Sequence, residues 1–384
     1  MKKLMILGAS ELQVPAIKCA NNLGIKTIVL DYDSNAIGKE IASKFYEVST
    51  LDYEKVLEIA KSENIDGIVT ICSDRPIPII AKIGEKLGLN TISYDTAMKA
   101  TDKALMRNAL KEKNVPIPKY YICNNYDEFE HAIESIEGKV VIKPSNNSGS
   151  RGVHFYNGKG ELKELYEYSK QYSSNQCVLV EEYMEGPEVS VEVFVENSEI
   201  YIIQITDKIT TGAPYFVEMG HTQPSALPYD IQDNIKEVAK KAVKALGIDN
   251  GPAHVEIKVT VNGAKIVEIG ARLGGDHITT DLVPLSTGID MVDLTIKMSL
   301  NDDIQISKSI NKASAIRYFD RPIKSNNLFK QKVEKIFIEN KDIIDIKSSN
   351  DRYGYFIIQE KDLEGIDDKI NLLEDILKME AKNV

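Results

Sequence analysis

Two glutamates in HVEIKVTVNGAKIVEIGARLGGD, residues 254–276, have the types and spacing to do chemistry. Asn262-Gly263 marks a hairpin turn between two strands. If the loop is Val261-Asn262-Gly263 with Gly263 left-handed, Glu256 lies directly opposite Glu268 on one face. A strict two-residue Asn-Gly turn would put them on opposite faces. Facing carboxylates repel unless a cation lies between them. A hard divalent ion such as Mg²⁺, shared with phosphates, is the natural occupant. Arg272 leaves the second strand where it could stabilise a phosphate in transfer. Gly274-Gly275 would let the backbone approach an acyl phosphate. The plain alternative is an edge hairpin with alternating surface glutamates.

A second stretch, VVIKPSNNSGSRGV (140–153), runs a buried-looking strand into Lys143 and then a small polar loop. Backbone N–H groups of Ser148, Gly149 and Ser150 can point at an anion. Gly149 and Gly152 allow the loop to swing, and Arg151 adds a bidentate donor. No GK[ST] follows, so this is not a Walker A loop. In VLVEEYMEGPEVSVEVFV, a strand ends in Glu181-Glu182-Tyr183-Met184 and Gly186-Pro187 turns into the next. Backbone groups at such a hinge can pair with an adenine edge, and Glu188 can accept from ribose hydroxyls. Glu192 and Glu196 read as solvent-facing.

Substrate chemistry is sought in TDKITTGAPYFVEMGHTQPSALP (206–228), which has little helix or strand pattern. Glu218 can hold an ammonium, and His221 a carboxylate or oxyanion. His254 reads as structural. Asp74 and Arg75 follow a parallel strand, at the end where α/β sheets bind ligands. Gly8 and Asp31 only partly match a dinucleotide fingerprint, so a tight strand-to-helix turn is preferred to NAD binding.

These residues need a scaffold. Strand–helix alternation over about 1–95 predicts a Rossmann-like parallel sheet with helices on both faces. A helix over 101–113, with Thr101 as its N-cap, precedes strands near 119–122, 140–143, 152–156, 177–181, 187–196 and 199–206. Helices near 231–246 and 289–299 flank the glutamate hairpin. Residues 311–384 read as a small α+β subdomain. At 384 residues with 43% apolar and 27% charged content, the chain is an ordinary globular protein. A net charge of −11 argues against nucleic acid or acidic membrane as a general partner. Cys19, Cys72, Cys123 and Cys177 are scattered, as in a reduced, cytoplasmic protein. The apolar run of MKKLMILGAS is short and meets Glu11, so a first strand is expected rather than a signal peptide.

The order Lys103, Lys143, the Gly/Ser loop, the EEYMEG hinge, Glu188, Glu256, Glu268 and Arg272 resembles the ATP-grasp superfamily over nearly the whole chain. The resemblance implies α/β and α+β architecture: a Rossmann-like unit (1–95), a two-lobed ATP-grasp core (96–310, with 145–152 as phosphate lid) and a C-terminal subdomain (311–384) packing on the active site. It implies that Lys103 and Lys143 contact ATP phosphates, with Lys143 catalytic alongside Arg272. Glu181, Glu182, Tyr183 and Met184 would hold adenine, Glu188 the ribose, and Glu256 and Glu268 one or two Mg²⁺ ions, with Mn²⁺ as a substitute. Many members read E-I-N-P-R where this chain has Glu268-Ile269-Gly270-Ala271-Arg272, so the usual asparagine ligand is missing.

EIGARLGGD and VPLSTGIDMVDLTI are similar to the branch of L-amino-acid ligases and to carbamoyl-phosphate-synthase-like proteins. In that branch Glu218 and His221 resemble the substrate pair; Arg272, Gly274, Gly275 and Asp74 complete the expected substrate set. The implied reaction is ATP-dependent joining of a small carboxylate to an amine, in a family where homodimers are common. A purine-pathway member would want phosphate-binding basic residues in 206–228, where Lys208 is the only lysine. A non-catalytic nucleotide-binding accessory protein is the rival of another class; both lysines, both glutamates and Arg272 speak against it.

Overall fold

The structure is a computed structural model that describes residues 1–147, 149, 151–323, 327–342 and 345–381. The chain opens with β1 (Lys3–Leu7), β2 (Lys26–Asp31), β3 (Lys44–Glu47) and β4 (Gly67–Val69). They form a parallel sheet in the order β3-β2-β1-β4. Along β1 the side chains alternate between two cores. Met5 and Leu7 meet Val56, Ile80 and Ile83 of the local helices, whereas Leu4 and Ile6 join a cluster containing Phe194, Met291 and Ile296. The second cluster packs the N-terminal unit onto the rest of the protein. It thereby fixes the loop after β4, which carries Asp74.

A second, antiparallel sheet holds β5 (Tyr120–Cys123), β6 (Val140–Pro144), β7 (His154–Tyr156) and β8 (Val178–Glu182) in the order β5-β8-β6-β7. The helix before it spans Lys103–Glu112 and is capped by Asp102, whose carboxylate accepts from the amides of Ala104 and Leu105. Thr101, expected as the cap, instead closes the preceding helix Tyr94–Thr101. Asp102 is the better cap because its second oxygen and Ser145 are tied into the same network.

The remaining strands make one eight-stranded antiparallel sheet. These are β9 (Glu188–Glu196), β10 (Glu199–Thr210), β11 (Glu218–Gln223), β12 (Gly251–Thr260), β13 (Gly263–Gly270), β14 (Ala313–Tyr318), β15 (Lys335–Ile338) and β16 (Gly354–Glu360). The order is β13-β12-β9-β10-β11-β14-β16-β15. One expectation is corrected here. Residues 218–223 are a strand rather than irregular chain, because β11 bridges β10 and β14. The segment from 311 has a core of its own around Phe319, Phe329 and Phe356. Its strands nevertheless continue the central sheet rather than building a separate one.

One face of the central sheet packs on helix Tyr229–Leu246, through Val189, Val191, Val193, Val255 and Ile257. Period-2 alternation sends Glu188, Ser190, Glu192, His254 and Glu256 to the other face. No helix among the described residues is long and apolar enough to cross a membrane.

Candidate active site

Glu256 does lie opposite Glu268, by a route the turn rules did not anticipate. Thr260 pairs with Gly263, Lys258 with Lys265 and Ile257 with Ile266, after which Val267 is skipped and Glu256 meets Glu268. The tight loop alone would have set Val267 against Glu256. The bulge at Val267 shifts the phase by one residue, so Ile266 and Ile269 both reach the core while Glu268 turns to the site. The Val267 carbonyl accepts from Arg107 Nη2 at 2.7 Å.

Arg107, 1% exposed, also grips both oxygens of Glu181 at 2.7 and 3.0 Å. Lys143 adds a contact to Glu181 at 2.6 Å. Burial alone would raise the Glu181 carboxyl; Arg107 and Lys143 overrule it and hold it at about 2. Burial lowers the Lys143 ammonium, with Glu181 acting against that. The Glu181 carboxylate, expected at adenine, is therefore committed to these two cations. Glu182 pairs with Lys265 at 3.3 Å and Met184 is buried. The Tyr183 ring stands 4.8 Å from Phe155.

Lys103 binds Glu268 at 2.8 Å and the Asn147 carbonyl at 2.7 Å, which links β13 to the root of the loop. Ser148 and Ser150 lie outside the described residues. Gly149 has a φ of +67° in open space, whereas Gly152 is packed: a Cβ there would stand 2.8 Å from Cβ of Tyr172. The far end of the loop is thus anchored rather than hinged. A cleft of about 270 Å³ is lined by Asp74, Asp102, Asn146, Asn147 and Glu268.

Three residues expected in separate roles share one partner. The Lys208 ammonium lies 2.9 Å from Glu188, 2.5 Å from Glu218 and 3.0 Å from Glu256. Burial would lower it, but the three carboxylates keep it well above its ordinary value. Glu256 also faces His254 at 3.5 Å, whose other nitrogen meets Glu192 at 2.9 Å. Burial works against the His254 imidazolium; Glu192 prevails and raises it to about 9. Glu192, expected in solvent, is fully buried. Alternation had placed it correctly with Glu188, but that face is covered by the N-terminal unit. A Cβ on Gly274 would stand 2.6 Å from His254 Nδ1, so this glycine serves close packing, while Gly275 has open space.

Arg272 reaches Asp74 through two hydrogen bonds of 2.8 and 3.2 Å. Burial pushes the Asp74 carboxyl up, and Arg272 brings it below its usual range. This pair also occupies the place of the missing asparagine: a Cβ on Gly270 would lie 3.0 Å from Arg272 Nε and 3.1 Å from Asp74 Oδ1. Burial pushes the Cys72 thiol beside it up to about 12, so it stays protonated. At the N-terminal unit, Gln13 bonds to both backbone groups of Ile71 and closes over Gly8. The partial dinucleotide motif is filled by this side chain.

Glu218 and His221 come together with a residue the sequence reading missed, Asp276. His221 Nε2 is 3.7 Å from Glu218 Oε2 and 3.7 Å from Asp276 Oδ2. His221 is fully buried, and neither ring nitrogen has a hydrogen-bond partner. Asp276 is also gripped by Arg352 at 2.7 and 3.1 Å, and Arg352 lies 3.7 Å over the Tyr318 ring. Arg107 and Arg352 carried no local motif. The one hint was the position of Arg352 in the C-terminal subdomain (311–384) expected to pack on the active site.

Residues 136–281 match the ATP-grasp domain family. The chain carries an ATP-grasp domain. An alanine–anticapsin ligase of Bacillus subtilis is 28% identical over 266 residues, covering 63% of this chain and 56% of that one. A formate-dependent phosphoribosylglycinamide formyltransferase of Histophilus somni is 23% identical over 345 residues, covering 85% and 84%. An L-amino acid ligase of Bacillus licheniformis shares the fold of this chain with a TM-score of 0.82 at 20% identity, covering 98% of this chain and 97% of that one. The chain spans 56% to 64% of the length of several curated relatives with strong matches.

Proposed function

We propose that the protein is an ATP- and Mg²⁺-dependent ligase that activates a small carboxylate as an acyl phosphate and joins it to an amine, with an amino acid among its substrates. The observation that carries the amino-acid part is the trio Glu218, His221 and Asp276. Its three acceptor atoms lie within 4.8 Å of one another, and a primary ammonium has three N–H donors to offer them. Leaving a buried polar group unpartnered costs about 1–3 kcal/mol, so His221 has most to gain from such a ligand. A metal ion suits the trio less well. Arg352 already holds both oxygens of Asp276 at 2.7 and 3.1 Å, and a carboxylate engaged in this way still has lone pairs for a further N–H.

For Mg²⁺ itself the better donors are Glu256 and Glu268, hard oxygen ligands from facing strands, each now held by a lysine that an incoming ion can replace. Bound there, the ion would neutralise charge on the transferring phosphoryl group. Lys103 and Lys143 receive the phosphates, and the loop 145–152 covers them. The backbone of 181–184 receives adenine and Glu188 the ribose. The substrate carboxylate attacks the γ-phosphorus, forming its O–P bond as the bond to ADP breaks. Arg272, held in orientation by Asp74, faces that oxygen cluster. The amine, freed of its proton by an acceptor such as His221, then forms the C–N bond and inorganic phosphate leaves. Exclusion of water protects the acyl phosphate, with open backbone at Gly275 giving it room.

Residues 1–95, 96–310 and 311–384 serve in this reading as front wall, nucleotide core and back wall. ADP release in the presence of pooled amino acids, followed by product mass, tests it. Stimulated release with a condensed product is expected. Release that ignores every amino acid, dipeptide and small organic acid would remove the ligase reading.

A further inference from the structure

Lys208 enters the reading above only as the partner of Glu256, yet its side chain is 2% exposed and touches two further carboxylates, Glu188 and Glu218. Glu188 opens β9, Glu218 opens β11 and Glu256 sits within β12. Lys258 contacts Glu188 alone, at 3.1 Å. Without Lys208, three half-buried carboxylates would face one another around one point, an arrangement that recruits any available cation.

We propose that Lys208 is a positioning residue that acts as an internal stand-in for the divalent ion. It holds Glu256 closed to metal until a nucleotide arrives, and keeps the ribose, metal and ammonium carboxylates in one register. Its flexible four-carbon stem lets the ammonium withdraw toward Glu218 when phosphates bring their own negative charge and a metal with them. Lys208 already pairs with Glu218 at 2.5 Å; once released from Glu256 its charge is shared by Glu218 and Glu188 alone, which couples the two sites reciprocally. The inference rests on Glu256 being the metal carboxylate of the proposed function.

The test is Mn²⁺ binding to the nucleotide-free protein, read from the paramagnetic resonance signal of the free ion. The wild type is expected to bind weakly, and Lys208→Met at least about tenfold more tightly. Lys208→Arg should stay weak. Adding Glu256→Gln to Lys208→Met should cancel the gain. Lys208→Gln provides the same reading should the methionine variant fail to fold by circular dichroism. A neutral variant that binds Mn²⁺ no better than wild type, or a gain that survives Glu256→Gln, overturns the proposal. Mg²⁺–ADP binding to the wild type separates the two levels. If it is present and the gain is absent, only the role of Lys208 falls; if it is absent, the nucleotide reading falls and Lys208 with it.

Discussion

The Arg107–Glu181–Lys143 knot and the Lys208 knot are both buried, and both join strands through charge, but their balance is opposite. The first sets two cations on one carboxylate. The second sets Lys208 among three carboxylates, with Lys258 at Glu188 and the His254 imidazolium, itself shared with Glu192, at Glu256, so carboxylates still outnumber cations. A buried group with surplus positive charge is a receptor for an anion, and one with surplus negative charge is a receptor for cations. In the proposed function, the sign of the surplus separates the phosphate end of the site from its metal and ammonium end.

The comparison breaks most visibly at the negative end. Glu268→Ala should lower ADP-forming turnover by about a thousandfold or more; retained turnover would remove this residue from the metal set. Next is the acid stability of the positive knot. Glu181 sits at about 2 against an ordinary 4.5, so its contribution is complete above about 4.5 and is lost as pH falls through 2. Urea unfolding at pH 5 and pH 2.5 should differ by about 2 kcal/mol from this group, and Glu181→Gln should flatten the difference. Lys143→Met should weaken ADP binding about thirtyfold by calorimetry, while Glu181 keeps Arg107. His221→Ala should raise KM for the amino substrate about tenfold and leave ADP affinity alone, which would assign the trio to the ammonium. Smallest of all, Glu185→Ala breaks an exposed contact to Lys139 and should change neither binding nor melting, since such pairs contribute little.

Local signals carried much of this site. The order of Lys103, Lys143, the hinge, Glu188 and the paired glutamates is written along the chain, and each lies on or beside the element its pattern implied. Alternation told which residues share a face; it did not tell which face is wet, and Glu192 went wrong for that reason. The facing of Glu256 and Glu268 was anticipated, but its cause, the bulge at Val267, depends on Arg107 arriving from another element. The Asp74–Arg272 and Asp276–Arg352 pairs join residues far apart in sequence. No period or motif marks such partners, because they meet only once the units have packed.

Gly270 has a consequence for how this chain can change. The family's asparagine would be a simple exchange on paper, yet its first carbon would press on the Arg272–Asp74 pair. Regaining that ligand therefore asks the pair to give by a few tenths of an ångström at the seam between the N-terminal unit and the core. An exchange at 74, nearly two hundred residues away, would relieve that pressure, so asparagine at 270 should be better tolerated with a smaller residue at 74 than with Asp74 in place.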